Sequence, residues 1–363
     1  MKSTDHYFTL IQEVIRGNWN APALTDYDGD HSYTYGQVAE QVARLELMFE
    51  HLGIGAGDKV SICGKNCSNW GLAFLATLAR RCVVVSILPD FTTESIHELV
   101  RHSDSKLLFV SPAIMKRLDA AQMSQLVSII SLDDFSSVAG QAVSSDFTDT
   151  WMQERYPKGF SIRDVHYPTD NFDELALINY TSGSTGSPKG VMLTHRSLSA
   201  NVVYGQTNIP NHPGQSIVSI LPLAHMFGMM FELLYQMAGG THINFITRNV
   251  TAPIMLKAFH DVQPYMILTV PLVIEKIFKK SIFPAIQKQP VKTLWNMPLI
   301  NRPIRRKVYQ KLMDAFGGKL EILIIGGAAL NGDVETCLKQ IHFPYTCGYG
   351  MTECGPLVCY ANW

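Results

Sequence analysis

The sequence predicts an α/β protein with two subdomains, each a mostly parallel sheet sandwiched by helices. Three observations predict it. Short β-branched runs alternate with helical periodicity in a βαβαβ rhythm over residues 59–110. A similar alternation resumes after residue 175. The length of 363 residues suits about two domains and a sizeable core.

The elements follow in order. The opening region reads as helix and then hairpin-like strands. In residues 36–53, Val38, Val42, Leu45, Met48, Phe49 and Leu52 share one helical face, and Gly53 ends the helix. Residues 59–63, 82–88 and 107–110 read as strands, with helices over 69–81 and 93–102 between them. Residues 132–173 are rich in Ser, Asp, Thr, Gly and Pro and read as an exposed linking region. Strands are expected at 175–180, 217–221, 242–246, 266–270 and 321–325. Helices are expected at 227–238, 252–262, 271–280, 302–316 and 331–341. The division is residues 1–180, with the linking region, and residues 181–363, with subdomains that need not be contiguous in sequence.

Composition narrows the function. Hydrophobic residues make up 47% and charged residues 17%, which excludes wholesale disorder. Thirty basic residues against thirty-one acidic ones leave no global charge to attract nucleic acid, so no nucleic-acid partner is expected. The seven cysteines are irregularly spaced, Cys63 and Cys67 have no second pair at metal-ligand spacing, and free thiols in a reducing cytosol are the expectation. The start, MKSTDHYFTL, lacks an apolar core, so no secretory signal is expected. Residues 71–88 are split by Arg80-Arg81, and residues 217–238 carry Pro222, His225 and Glu232. Both read as buried elements rather than membrane spans.

The chemistry concentrates after the strand at 175–180. Residues 180–190 read Tyr-Thr-Ser-Gly-Ser-Thr-Gly-Ser-Pro-Lys-Gly. Gly183 and Gly186 let backbone N–H groups approach a ligand, and Thr181, Ser182, Ser184 and Thr185 add hydroxyl donors for phosphate oxygens. Lys189 adds a positive charge. The order differs from the Walker pattern, since Pro188 precedes the lysine and Gly190 follows it.

This loop, YTSGSTGSPKGVMLTHRSL, resembles the phosphate-loop signature of the adenylate-forming superfamily of acyl-CoA synthetases, firefly luciferase and peptide-synthetase adenylation domains. Other segments agree in order and spacing: YTYGQVAEQVARL at 33–45, GAGDKVSICGKNCSNW at 55–70, LPLAHMFG at 221–228, IIGGAAL at 324–330 and GYGMTECGP at 348–356. VMLTHRSLSANV at 191–202, TVPLVIEKIFKK at 269–280 and FGGKLEILIIGGAAL at 316–330 look like bacterial long-chain fatty acid–CoA ligases. Two departures stand out: Arg80-Arg81-Cys82 replaces a small residue and glycine, and Ala329 replaces a proline.

The resemblance implies the large N-terminal domain of the adenylate-forming fold. It implies activation of a carboxylic acid by ATP to acyl-AMP, then transfer to coenzyme A, with fatty acid, ATP and coenzyme A as partners and Mg²⁺ as cofactor. By the same route, residues 181–189 take the phosphates, with Thr181, Ser182, Gly183, Ser184, Thr185, Gly186 and Lys189 as contacts. Glu353 would hold Mg²⁺, with Thr181 as a second oxygen. Thr352 would bond the α-phosphate within Gly350-Met351-Thr352, and Tyr349 would stack on adenine opposite Gly327 and Ala328. His225, Lys189, Thr352 and Glu353 are the expected catalytic groups, with His225 beside the reacting carboxylate; a hydrogen-bonded core histidine is the alternative. Met226, Phe227, Met229, Met230 and Phe231 would line an acyl pocket, or form plain core.

The basic cluster of Lys276, Lys279, Lys280, Arg302, Arg305, Arg306 and Lys307 suits peripheral contact with a membrane surface or coenzyme A phosphates, and solvated helix faces explain it equally. A cytoplasmic location follows, and the sequence says nothing of oligomeric state. Trp363 comes before the ribose-binding aspartate, the hinge and the small C-terminal domain of the family. The 363 residues alone are therefore expected to bind ATP weakly and to ligate poorly. Transfer to a carrier protein, or a non-catalytic nucleotide- or acyl-binding module, are the alternative readings.

Overall fold

Strand residues alternate between two apolar environments, and this alternation builds the molecule. The computed structural model describes residues 5–143, 145–181, 188–295, 297 and 301–360, with only the backbone for 145–147. The helix Tyr7–Gly17 leads into β1 (Pro22–Asp26) and β2 (Ser32–Thr34). The helix Tyr35–His51 follows, started by a reciprocal cap between Thr34 and Gln37. Next come β3 (Lys59–Cys63), the helix Ser68–Ala79, β4 (Val83–Ile87), the helix Thr93–His102 and β5 (Ser105–Val110). The strands β6 (Ser128–Ser131) and β7 (Ser137–Gly140), the helix Ser145–Arg155, and β8 (Leu175–Thr181) and β9 (Lys189–Thr194) complete the first half.

After the helix His195–Asn208 come β10 (Ser216–Ser219), the helical run Met226–Gly239, β11 (His242–Phe245), the helix Ala252–Val262 and β12 (Met266–Thr269). A helical run over 271–286, the helix Arg302–Ala315, β13 (Ile322–Ile325), the helix Gly332–Gln340, β14 (Tyr345–Gly350) and β15 (Leu357–Tyr360) end the described chain.

The strands form two sheets. A seven-stranded sheet has the order β7-β6-β5-β3-β4-β8-β9 and an eight-stranded sheet the order β15-β14-β13-β12-β10-β11-β1-β2. Both are parallel except at the outermost pairs β6–β7, β8–β9, β14–β15 and β1–β2. The sheets exchange chain: β1 and β2 from the start belong to the eight-stranded sheet, and β9, beyond residue 180, closes the seven-stranded one. Residues 132–173, expected as a linking region, instead supply the edge strand β7 and the helix Ser145–Arg155, whose Met152 packs on Ala43 and Leu47.

Period-two side-chain alternation sorts neighbours into different cores. Ile217 and Ile324 face a central helical layer shared with Val84 of the other sheet, whereas Val218 and Ile325 face the outer helices. Val83 and Val85 face a separate outer cluster with Ile96 and Leu99. The layers therefore run helix, sheet, helix, sheet, helix. Asp26 of β1 joins the sheets by accepting hydrogen bonds from Ser68 N (2.7 Å) and Ser68 Oγ (2.8 Å) at the start of the Ser68–Ala79 helix.

The Arg80-Arg81 departure has a visible consequence. Arg81 takes φ +59°, a left-handed conformation that favours glycine, and its guanidinium pairs with Glu174 and Asp170. Among the described residues, no helix is long and apolar enough to cross a membrane. The two long apolar stretches are core elements: the first holds the fully buried helix Ser68–Ala79 and β4, and the second holds β10 and the helical run to Gly239.

Candidate active site

In the eight-stranded sheet, the chain leaves β10 for β11 on one side and then returns to place β12 on the other. Such a reversal opens a crevice at the carboxyl ends of the strands, where open α/β sheets take ligands. A cavity of about 420 Å³ lies there. Its walls come from the segments after four parallel strands: Leu221 to Phe231 after β10, Val270 after β12, Gly326 and Gly327 after β13, and Gly348 to Thr352 at the end of β14. Leu357 and Tyr360 of β15, with Ile209, close it.

The His225 wall is clamped by buried polar side chains. Asn66, from the loop after β3, donates to Leu221 O (2.7 Å) and Ser219 Oγ (3.0 Å) and accepts from Leu223 N (2.9 Å). Asn179 of β8 donates to Ala224 O at 2.8 Å and to Ser86 Oγ at 2.6 Å. Fully buried Glu232 accepts from Ser219 Oγ (2.8 Å), Leu221 N (3.0 Å) and Ile220 N (3.3 Å). Burial pushes its carboxyl up to about 8 against the pull of those donors. Glu232 lies in a π-helical turn, Met229–Leu234, a local widening often found at functional sites. Side chains from the seven-stranded sheet thus fix a loop of the eight-stranded sheet.

His225 ends that loop and opens onto the cavity. Apolar surroundings hold its imidazole below the ordinary histidine range. Met226, Phe227 and Phe231 line the cavity, whereas Met229 and Met230 are core.

The opposite wall is thin and backbone-rich. A Cβ on Gly326 would lie 3.1 Å from the Phe227 ring, so a larger residue there would push the ring aside. Gly327 follows at φ +87°. Tyr349 stands at the rim, 64% exposed, and Gly350, Met351 and Thr352 continue the wall. Glu353 is exposed, one residue beyond the lining, and Ala328 is exposed outside it.

Ser182, Gly183, Ser184, Thr185 and Gly186 lie outside the described residues. Their anchors are described: Thr181 and Lys189 face each other across the β8–β9 ladder at the base of the loop, and neither lines the cavity. The strand β9 packs against the 3₁₀ turn Thr352–Cys354. Asn201, on the helix after β9, donates to Cys354 O (3.0 Å) and accepts from Leu357 N (2.9 Å). The loop-bearing hairpin and the turn that carries Glu353 are therefore neighbours.

The residues present fit a nucleotide at the rim, where an exposed tyrosine stands beside a thin glycine-rich wall. Among the described residues, no three His, Cys, Asp or Glu side chains cluster as metal ligands. A lone carboxylate such as Glu353 suits Mg²⁺, which takes most of its oxygens from phosphates and water.

Ile209, Leu357 and Tyr360 lie outside every quoted motif, and Val270 lies in the 269–280 segment with no role assigned to it there. Asn66 is hidden among other polar residues, Lys65, Ser68 and Asn69, Asn179 is a single polar residue in an apolar strand, and Glu232 showed only as a charge out of place in an apolar run.

This fold and cavity define the large domain of adenylate-forming enzymes. The chain belongs to the family of AMP-binding enzymes, whose pattern matches residues 11–363. Fatty acyl-CoA synthetase B of Dictyostelium discoideum is 28% identical over 352 residues, covering 90% of this chain and 51% of that protein. 4-Coumarate–CoA ligase 1 of Arabidopsis thaliana is 26% identical, with 98% and 57% covered. The crystal structure of the N-terminal domain of FACL13 from Mycobacterium tuberculosis superposes with a TM-score of 0.71 at 17% identity, covering 97% of this chain and 77% of that one. The chain spans about half the length of the curated relatives it matches.

Proposed function

We propose that these residues are the acid- and nucleotide-binding part of an acid–thiol ligase acting on long-chain fatty acids. The observation that carries this is one cavity with apolar walls at Phe231 and Leu357 and an exposed aromatic rim at Tyr349. The carboxylate of the acid attacks the α-phosphorus of ATP, forming acyl-AMP and releasing pyrophosphate. The sulfur of coenzyme A then attacks the acyl carbon and AMP leaves. The acyl chain lies along Phe227 and Phe231, and its carboxylate sits near His225, which stays neutral near pH 7 and orients it without competing for a proton.

Tyr349 stacks on adenine against Gly327, and Thr352 bonds the α-phosphate. The loop 181–189 surrounds the outer phosphates with backbone N–H groups, hydroxyls and Lys189. Mg²⁺, held by Glu353 with Thr181 as a second oxygen, would neutralise phosphate charge as the pyrophosphate departs.

The test is ATP–pyrophosphate exchange by the full-length protein with acids from acetate to palmitate and with coumarate. Exchange that rises with chain length is the expected outcome. Exchange best with coumarate would replace the substrate class, and none with any acid would remove the ligase reading. Exchanging coenzyme A for a carrier protein identifies the thiol acceptor.

A further inference from the structure

A second concavity, of about 980 Å³, lies on the outer side of the eight-stranded sheet. It runs between the helix Ala252–Val262, the helical run 271–286 and the helix Arg302–Ala315. Its floor is apolar: Met255, Ile282 and Leu312 are each no more than 3% exposed. Lys276, Lys279, Lys280 and Lys311 stand on its border, and among the described residues no carboxylate lines it. Lys311 Nζ donates to Ser281 O at 3.2 Å, which holds one ammonium group at the edge. Among the described residues, Lys276, Lys279 and Lys280 form no ion pair with a carboxylate. The border includes a π-helical turn, Phe278–Ile282.

We propose that this groove binds a single-chain anionic amphiphile from solution. An apolar trough of this volume takes an alkyl chain, and unpaired ammonium groups at its edge take the anionic head. Its concave shape favours an inserted chain over a flat bilayer, which meets a convex surface better. The groove is separate from the cavity beside His225, but one element borders both. Val270 lines that cavity, and Val273 and Ile277, within the helix Pro271–Ile277 that begins next to it, line the groove. An occupant therefore rests on the helix whose start forms a wall of the candidate active site. The inference does not depend on the ligase reading, since binding needs no turnover.

The experiment titrates the chain with carboxyl-labelled laurate, dodecyl phosphate and dodecanol, following the labelled carboxyl by carbon NMR and the others by calorimetry. Both anions are expected to bind the groove, and dodecanol more weakly. The exposed-lysine variant K276E/K279E/K280E should weaken the groove site for both anions by roughly tenfold and leave dodecanol unchanged. Leu256→Asp should weaken all three. Comparing laurate with dodecyl phosphate identifies the preferred head. Unchanged anion affinity in the triple variant, or binding to anionic vesicles with none to monomeric amphiphile, would overturn the proposal.

Discussion

The two walls of the cavity are built by different means. On the His225 side, Asn66, Asn179 and Glu232 hold the loop from Ser219 to Ala224 through buried hydrogen bonds. On the Tyr349 side, the turn is held from behind by Asn201, while Tyr349 and Met351 are 64% and 45% exposed. The first wall is ordered before any ligand arrives, which is what positioning a small carboxylate demands. The second leaves its side chains open to a ligand. On the proposed reading, the acid side is preorganised and the nucleotide side gains contacts on binding.

Four substitutions can break or sharpen this contrast. The largest effect belongs to Asn66→Ala. It strands Leu223 N–H and Leu221 C=O in a buried place and should destabilise the chain by ~2–4 kcal/mol, read from urea unfolding. Acid-dependent exchange should fall with it. Tyr349→Ala should instead leave the unfolding midpoint in place and weaken nucleotide binding by ~1–3 kcal/mol, read by calorimetry. Glu353→Ala should also spare stability, and should weaken Mg²⁺–ATP by about tenfold, with little change for nucleotide measured without metal.

The smallest effect, Glu232→Gln, is a matter of pH. A carboxyl raised to about 8 keeps a proton in the folded chain that the unfolded chain releases above its ordinary value of 4.5. Stability from this group is therefore complete below that value and is lost as pH rises through about 8. The amide variant should cost less than ~1 kcal/mol at pH 6 and remove this alkaline loss. His6 and His195 act with the opposite sign. Burial lowers both to about 4, so the folded chain loses stability as pH falls from 6.5 toward that value. Thermal unfolding across pH 4.5 to 8.5 should show both limbs in the parent chain and a smaller alkaline limb in the glutamine variant, where Glu46, pushed up to about 7 by burial, still contributes. Two limbs of unchanged size in the variant would remove Glu232 from the account.

Much of the fold was legible because its signals are local. Residues 59–63 and 83–87 are short strands rich in Val and Ile, and 36–53 carries a clear helical face. The helix Ser145–Arg155 was hidden because its sequence, SDFTDTWMQER, is polar and gives few apolar contacts to the core. The strand β14, YTCGYG, was hidden by glycines that weaken any strand pattern. The candidate site was legible where a motif stands on one segment, as in GYGMTECGP. It was not legible at Ile209, Val270 or Asn66, whose roles exist only once distant segments meet.

The central claim is that one cavity receives both the acid and the adenylate, with the purine against Tyr349 and the chain beyond His225. A crystal structure with a non-hydrolysable long-chain acyl-sulfamoyl adenosine tests it most directly. The account predicts density for the purine on the Tyr349 ring and for the alkyl chain beside Phe231. Adenosine bound away from Tyr349, or an acyl chain leaving the cavity without passing His225, would contradict it.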